Sequence, residues 1–132
     1  MDAVIHFELP CDDRERISRF FRQAFGWNTQ MLGPEMGHYV VVTTAETDAR
    51  PDGPRGAING GFFTRTPSMP EQHPGIVIAV EDIRAAMQRV GAAGGQVLGE
   101  PMDIPGVGAY VAFLDTEGNR SSMLQPLPMG AR

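Results

Sequence analysis

The sequence predicts an α+β protein made of two βαβββ modules, each with four strands and one helix. Three observations carry this. First, a pattern of apolar strand, acidic turn, helix and glycine stop occurs twice, in IHFELPCDDRERISRFFRQAFGWNT and in GIVIAVEDIRAAMQRVGAAGGQVL. The two copies are offset by roughly 70 residues, about half the chain, which is how an internal duplication reads. Second, three strand-like runs follow each helix. Third, the first strand of each copy alternates, so that one side is purely apolar.

In the first module, Ile5, Phe7 and Leu9 are expected to face the helix, leaving His6 and Glu8 on the opposite, concave face. Asp12 or Asp13 stands where a helix N-cap belongs, and Gly26 where a C-cap belongs. Between them Ile17, Phe20, Phe21, Ala24 and Phe25 fall at i, i+3, i+4, i+7 and i+8, one apolar stripe. The strand-like runs that follow are Asn28–Gly33, His38–Thr44 and Ala57–Thr64, separated by Gly33-Pro34 and by the turn-rich stretch Ala49–Arg55. Thr66–Pro74, with Pro67, Pro70 and Pro74, reads as the linker, so the modules are expected over residues 1–65 and 75–128 of a single 1–132 domain.

The second module repeats the plan. Ile76, Ile78 and Val80 are expected on the helix side, with Val77 and Ala79 on the concave side. Asp82 caps a helix whose stripe is Ile83, Ala86, Met87 and Val90, and Gly94-Gly95 ends it. The strand-like runs are Gln96–Glu100, Gly108–Leu114 and Arg120–Gln125, with turns at Pro105-Gly106 and Glu117-Gly118-Asn119.

Composition excludes several classes. The 132 residues are 42% hydrophobic and 20% charged, which is the balance of a globular protein rather than of a disordered or coiled-coil chain. The net charge is −5, and all 11 cations are Arg, so a nucleic-acid or anionic membrane surface is not expected. No apolar run is long enough to suggest a membrane span. The opening MDAVIHFELP lacks a basic stretch followed by a long apolar one, and a lone cysteine cannot form an internal disulfide, so a cytoplasmic location is expected. The absence of Lys and the high Ala, Gly and Pro content point to a GC-rich bacterial genome.

A single helix covers one face of a four-stranded sheet, so the other face needs a ligand, a partner or solvent. The residues expected there are His6, Glu8, Val77, Ala79, one of Phe62 and Phe63, and Ser122. This mixture of apolar wall and few polar anchors is that of a small-molecule pocket. His6 and Glu8 are the groups able to move protons near neutral pH. Cys11 sits near a helix start, but Asp12 and Asp13 oppose a reactive thiolate, and a structural role is expected. Asp115, Glu117 and Asn119 are explained by a hairpin turn. Neither Gly60-Gly61 nor the loop Pro105–Gly108 opens a helix, so neither reads as a phosphate cradle.

The matching residues HFELPCDDRERISRFFRQAFGW, GGFF, VEDIRAAMQRVGAAGGQVL and PMDIPGVGAYVAFLDTEGN, in that order and spacing, resemble the vicinal oxygen chelate superfamily of glyoxalase, bleomycin-resistance and dioxygenase proteins. Thr116 stands where that family's closing signature usually has Pro. The resemblance implies that the two modules pair as an eight-stranded cup holding a divalent metal bound by side chains of the first and last strands. The four positions it assigns fall on His6, on Asn59 or Gly60, on Val77 and on Ser122. Only His6 matches a family ligand, so no complete metal site is expected, and the cofactor is left open. The functions implied are a lyase-, isomerase- or hydroxylase-like enzyme using His6 and Glu8, with Asn59, Phe62, Phe63, Val77 and Ser122 lining the ligand, or a non-catalytic protein that sequesters an antibiotic or toxin. A homodimer is expected, because open sheet edges invite association and Met31, Leu32, Met36, Met69 and Met102 offer an apolar surface.

Overall fold

The computed structural model describes residues 1–45, 57–69 and 72–128. The chain forms two compact units, one of His6–Pro74 and one of Met1–Ile5 with the chain from Gly75 onward. Among the described residues there are eight strands and two α-helices, arranged as two βαβββ modules.

The first module contains β1 (Val4–Cys11), α1 (Arg14–Phe25), β2 (Asn28–Met31), β3 (Val40–Thr43) and β4 (Asn59–Thr64). Its strands lie in the order β2-β3-β4-β1. Strands β1 and β4 run parallel, with His6 opposite Asn59 and Glu8 opposite Gly61. Strands β3 and β4 are antiparallel, with Val41 opposite Gly61.

Helix α1 starts because the Asp13 carboxylate accepts from the N–H groups of Glu15 at 3.1 Å and Arg16 at 3.0 Å. It stops at Gly26, which takes φ 70°, a left-handed conformation that glycine adopts without a Cβ penalty. Its inner side carries Ile17 and Phe21, which pack with Phe7, Leu9, Trp27 and Met31 on a buried core of Cys11, Val40, Val42 and Phe62. Trp27 closes that core by stacking on Phe21 at 4.4 Å between ring centroids. The apolar stripe is wider than the surface it covers, since Phe20 and Phe25 remain 56% and 64% exposed.

The second module contains β5 (Gly75–Ala79), α2 (Ile83–Ala92), β6 (Gln96–Ile104), β7 (Gly108–Leu114) and β8 (Arg120–Pro126), with strand order β5-β8-β7-β6. The Asp82 carboxylate caps α2 by accepting from Ala85 N–H at 3.1 Å. Ile83 and Ala86 bury against Val80, Val111 and Met123, with Ile78, Met87 and Val90 packed around them. Ile76, expected on that side, stays 41% exposed.

Several element ends differ from the sequence reading. Strand β2 ends at Met31 because Gly33-Pro34 leads into a short 3₁₀ turn over Pro34–Met36. Strand β3 begins at Val40 rather than His38, whose φ of 59° cannot belong to a strand. Strand β6 runs past Glu100 through Pro101 to Ile104. It can do so because its register against β7 shifts between Leu98 and Met102, a bulge that Gly99 allows at φ 92°, and because the outermost strand of the module tolerates a proline without an N–H. The turn expected at residues 49–55 lies outside the described residues, as do Pro70 and Glu71 of the expected linker.

Candidate functional site

The alternation of β1 decides which side chains reach the face away from α1. Phe7 and Leu9 pack into the core, and His6 and Glu8 therefore project from the other face, each half-buried. The register brings Asn59 and Gly61 of β4 alongside them. Tyr39, just before β3, continues the alternation of Val41 and joins the same face. The Tyr39 hydroxyl lies 2.8 Å from His6 Nε2 and donates to Glu8 Oε2 at 2.9 Å. Its ring lies 6.4 Å from the His6 ring, 20° from parallel.

Gly61 makes this possible. A Cβ built there would collide with the Tyr39 phenol, which supplies all three of its nearest atoms. The ring is delivered by a pinned turn. Arg14 Nη1 donates to the carbonyls of Leu32 at 2.8 Å and His38 at 3.1 Å, holding both ends of the β2–β3 connection. Two successive left-handed residues, Gly37 and His38, then turn the chain into β3. A non-glycine residue in that region stores backbone strain, which persists only where the surroundings over-determine it.

The electrostatics of this face follow from burial. Desolvation pulls the His6 pKa below the ordinary imidazole value, and the nearby Glu8 charge opposes this in part. Two acid–base groups joined through a phenol can accept, store and return a proton, the requirement of general acid–base chemistry.

The other candidates are distributed as follows. Phe62 is fully buried in the α1 core, whereas Phe63, its neighbour in β4, takes the opposite face beside Pro10. Asn59 shares the register of His6, but its Oδ1 accepts from the N–H groups of Thr44 at 2.7 Å and Ala45 at 3.0 Å, closing the end of β3. In the second module Val77 is buried and lies opposite Ser122. Ser122 Oγ is 2.6 Å from the Tyr110 hydroxyl, a polar spot beside Ala112 and Leu124 on the side away from α2. Cys11 is buried, and burial, followed by Asp12, pushes its thiol pKa up. Asp115 accepts from Asn119 Nδ2, Asn119 N–H and Glu117 N–H, which holds its carboxyl below the usual range and accounts for it as a turn residue. Met31 packs on the core, and of the five apolar residues expected to form a surface only Met102 is strongly exposed, at 59%.

These residues do not fit a divalent metal. Of the four positions assigned by resemblance, His6 offers an imidazole, the second falls on Asn59, which has committed its amide oxygen to backbone, or on Gly60, which has no side chain, Val77 has no donor, and Ser122 is bound to Tyr110. Among the described residues, no three His, Cys, Asp or Glu side chains gather into a group that could hold a metal ion.

Tyr39 is the site residue that sequence reasoning missed. Two signals could have found it: it alternates with Val41 in the run that precedes the turn, and a glycine pair in the last strand of a module leaves room for a large ring beside it.

Comparison with known proteins places this geometry in context. A Mycobacterium tuberculosis protein carrying the name glyoxylase CFP32 is 42% identical over 127 residues, covering 96% of this chain but 45% of that protein. The chain thus spans about half the length of that relative. A glyoxylase-like domain-containing protein of Didymella fabae is 30% identical over 115 residues, covering 85% of this chain and 84% of that one. Among solved structures, a Streptomyces coelicolor methylmalonyl-CoA epimerase superposes with a TM-score of 0.67 over 95% of this chain and 97% of its own, at 17% identity, a likeness of fold. Residues 3–122 match the family model, and the chain belongs to the Glyoxalase/Bleomycin resistance protein/Dioxygenase superfamily.

Proposed function

We propose that the sheet face carrying His6, Glu8 and Tyr39 binds a small, partly apolar organic molecule and acts on it by proton transfer, as a lyase- or isomerase-type glyoxalase relative without a complete metal site. The observation that carries this reading is the single phenol within hydrogen-bond distance of both an imidazole and a carboxylate, on the sheet face opposite the α1 core. Phe63 supplies apolar wall on that face, and Asn59 flanks it. In the second module, Val77 and the Tyr110–Ser122 pair offer the same mixture of apolar surface and hydroxyl. The glyoxylase name of a 42% identical relative supports a glyoxalase-type reading.

A thermal-shift screen of organic acids, thioesters and carbonyl compounds tests the reading. A binder at 100 times its Kd stabilises the folded state by about 2.7 kcal/mol. His6→Ala and Glu8→Gln should each abolish that shift. A shift that survives both changes, or no shift from any compound, refutes the reading.

The poor donor set favours a second reading, in which the face sequesters a compound without changing it. Recovery of the bound compound unaltered after long incubation distinguishes the two. The same proposal takes the protein as a cytoplasmic homodimer. The exposed pair Phe20 and Phe25, 6.4 Å apart, is a better surface for the second copy than the expected methionines. Light scattering should give twice 14.3 kDa, falling to 14.3 kDa in Phe20→Ser/Phe25→Ser.

A further inference from the structure

The hydrogen bonds around Tyr39 determine where the proton on His6 must sit. A phenol carries one proton, and Tyr39 donates it to Glu8 Oε2. The Tyr39 oxygen can then only accept from His6 Nε2, 2.8 Å away. A neutral imidazole has one N–H, so the remaining nitrogen, Nδ1, keeps its lone pair. The ring cannot readily swap these roles. Tyr39 is held over Gly61 by the Arg14 clamp on Leu32 and His38, and its ring lies nearly parallel to that of His6.

We infer that Tyr39 is a positioning residue that locks His6 in the Nε2–H tautomer, and that Nδ1 is the basic atom this face presents to a ligand. The partner it fits is a molecule that offers a proton, from a hydroxyl, an amide or an acidic carbon, rather than one that only accepts. Among the described residues, the groups that face His6 are Glu8 on its own strand, Tyr39 from the β3 side and Asn59 from β4, and of these Asn59 does not titrate. The role of Nδ1 toward a ligand rests on the functional reading above. The tautomer does not, because it is read in the free protein.

The test is long-range ¹H–¹⁵N correlation on protein labelled at its three histidines, at about pH 8, where a typical imidazole is neutral. His6→Asn assigns the signals by removing one set. The wild-type protein should show Nε2 protonated and Nδ1 unprotonated at His6, with the two ¹⁵N shifts well separated. Tyr39→Phe keeps the ring over Gly61 but removes the oxygen, so the two His6 shifts should converge while those of His38 and His73 stay in place. Glu8→Ala frees the Tyr39 proton to point at His6, so the tautomer should move toward Nδ1–H. An Nδ1–H signal in the wild-type protein overturns the inference, as does a His6 pattern unmoved by both substitutions. Should Tyr39→Phe fail to fold, the wild-type spectrum and Glu8→Ala still decide. A compound that binds this face by accepting only, with the tautomer intact, would overturn the ligand assignment and leave the tautomer standing.

Discussion

Substituting Gly61 by Ala isolates the contact on which the candidate site depends. The added Cβ would occupy the space of the Tyr39 phenol, and the backbone there is ordinary strand, so the damage falls on the ring and not on local conformation. To relieve the overlap Tyr39 must leave its place between His6 and Glu8. The hydrogen bonds to His6 and Glu8 are lost, each worth about 1 kcal/mol net. Displacing a packed ring adds roughly 1 kcal/mol or more of overpacking. The expected cost is therefore about 3 kcal/mol, or a fall in Tm of about 10 °C for a chain of this size. Urea unfolding followed by circular dichroism measures it, with an unchanged m-value as the sign that only stability has moved. Gly91→Ala is the control of opposite sign: it lies in α2 with nothing within 4 Å of the added carbon, and it should stabilise by about 0.5–1 kcal/mol. The decisive measurement is the double-mutant cycle. In a Tyr39→Ala background the space over Gly61 is vacant, and Gly61→Ala should cost less than 1 kcal/mol, a coupling of roughly 2 kcal/mol. If Gly61→Ala costs the same with and without Tyr39, the phenol is not what the glycine accommodates, and Gly61 does not build the site.

Further expectations follow from the same geometry. The folded pKa of His6 lies below its unfolded value of about 6.5, so in the interval between them the unfolded chain holds the extra proton. Stability should be full above about pH 6.5 and fall as the pH drops through the folded pKa, and His6→Asn should flatten that slope in Tm measured against pH. Phe62→Ala empties the centre of the first core and should cost about 3–5 kcal/mol, whereas Phe20→Ser, on the exposed side of α1, should stay within about 0.5 kcal/mol in a monomer by urea unfolding. Arg14→Gln releases the carbonyls of Leu32 and His38, and amide exchange should quicken at Tyr39 and Gly37 while the β1–β4 pairing keeps its protection. If exchange at Tyr39 is unchanged, Arg14 does not position the phenol.

The sequence alone was enough for the module plan, because that plan is written in local chemistry. Asp13 and Asp82 cap their helices through backbone donors two or three residues away, and Gly26 ends a helix through its own φ, all interactions a reader of consecutive residues can see. The alternation of β1 likewise separates His6 and Glu8 from Phe7 and Leu9 before any partner strand is known. Tertiary structure decided what depends on register between distant strands. Whether Phe62 or Phe63 joins the core is a matter of which residue pairs with Val40, since a shift by one would exchange them. The same pairing sets Gly61 opposite both Glu8 and Val41, which opens the space that Tyr39 fills from 31 residues away along the chain from Glu8. The exposure of Phe20 and Phe25 was also hidden, because a helical stripe records which residues are apolar and not how much of it the sheet is broad enough to cover.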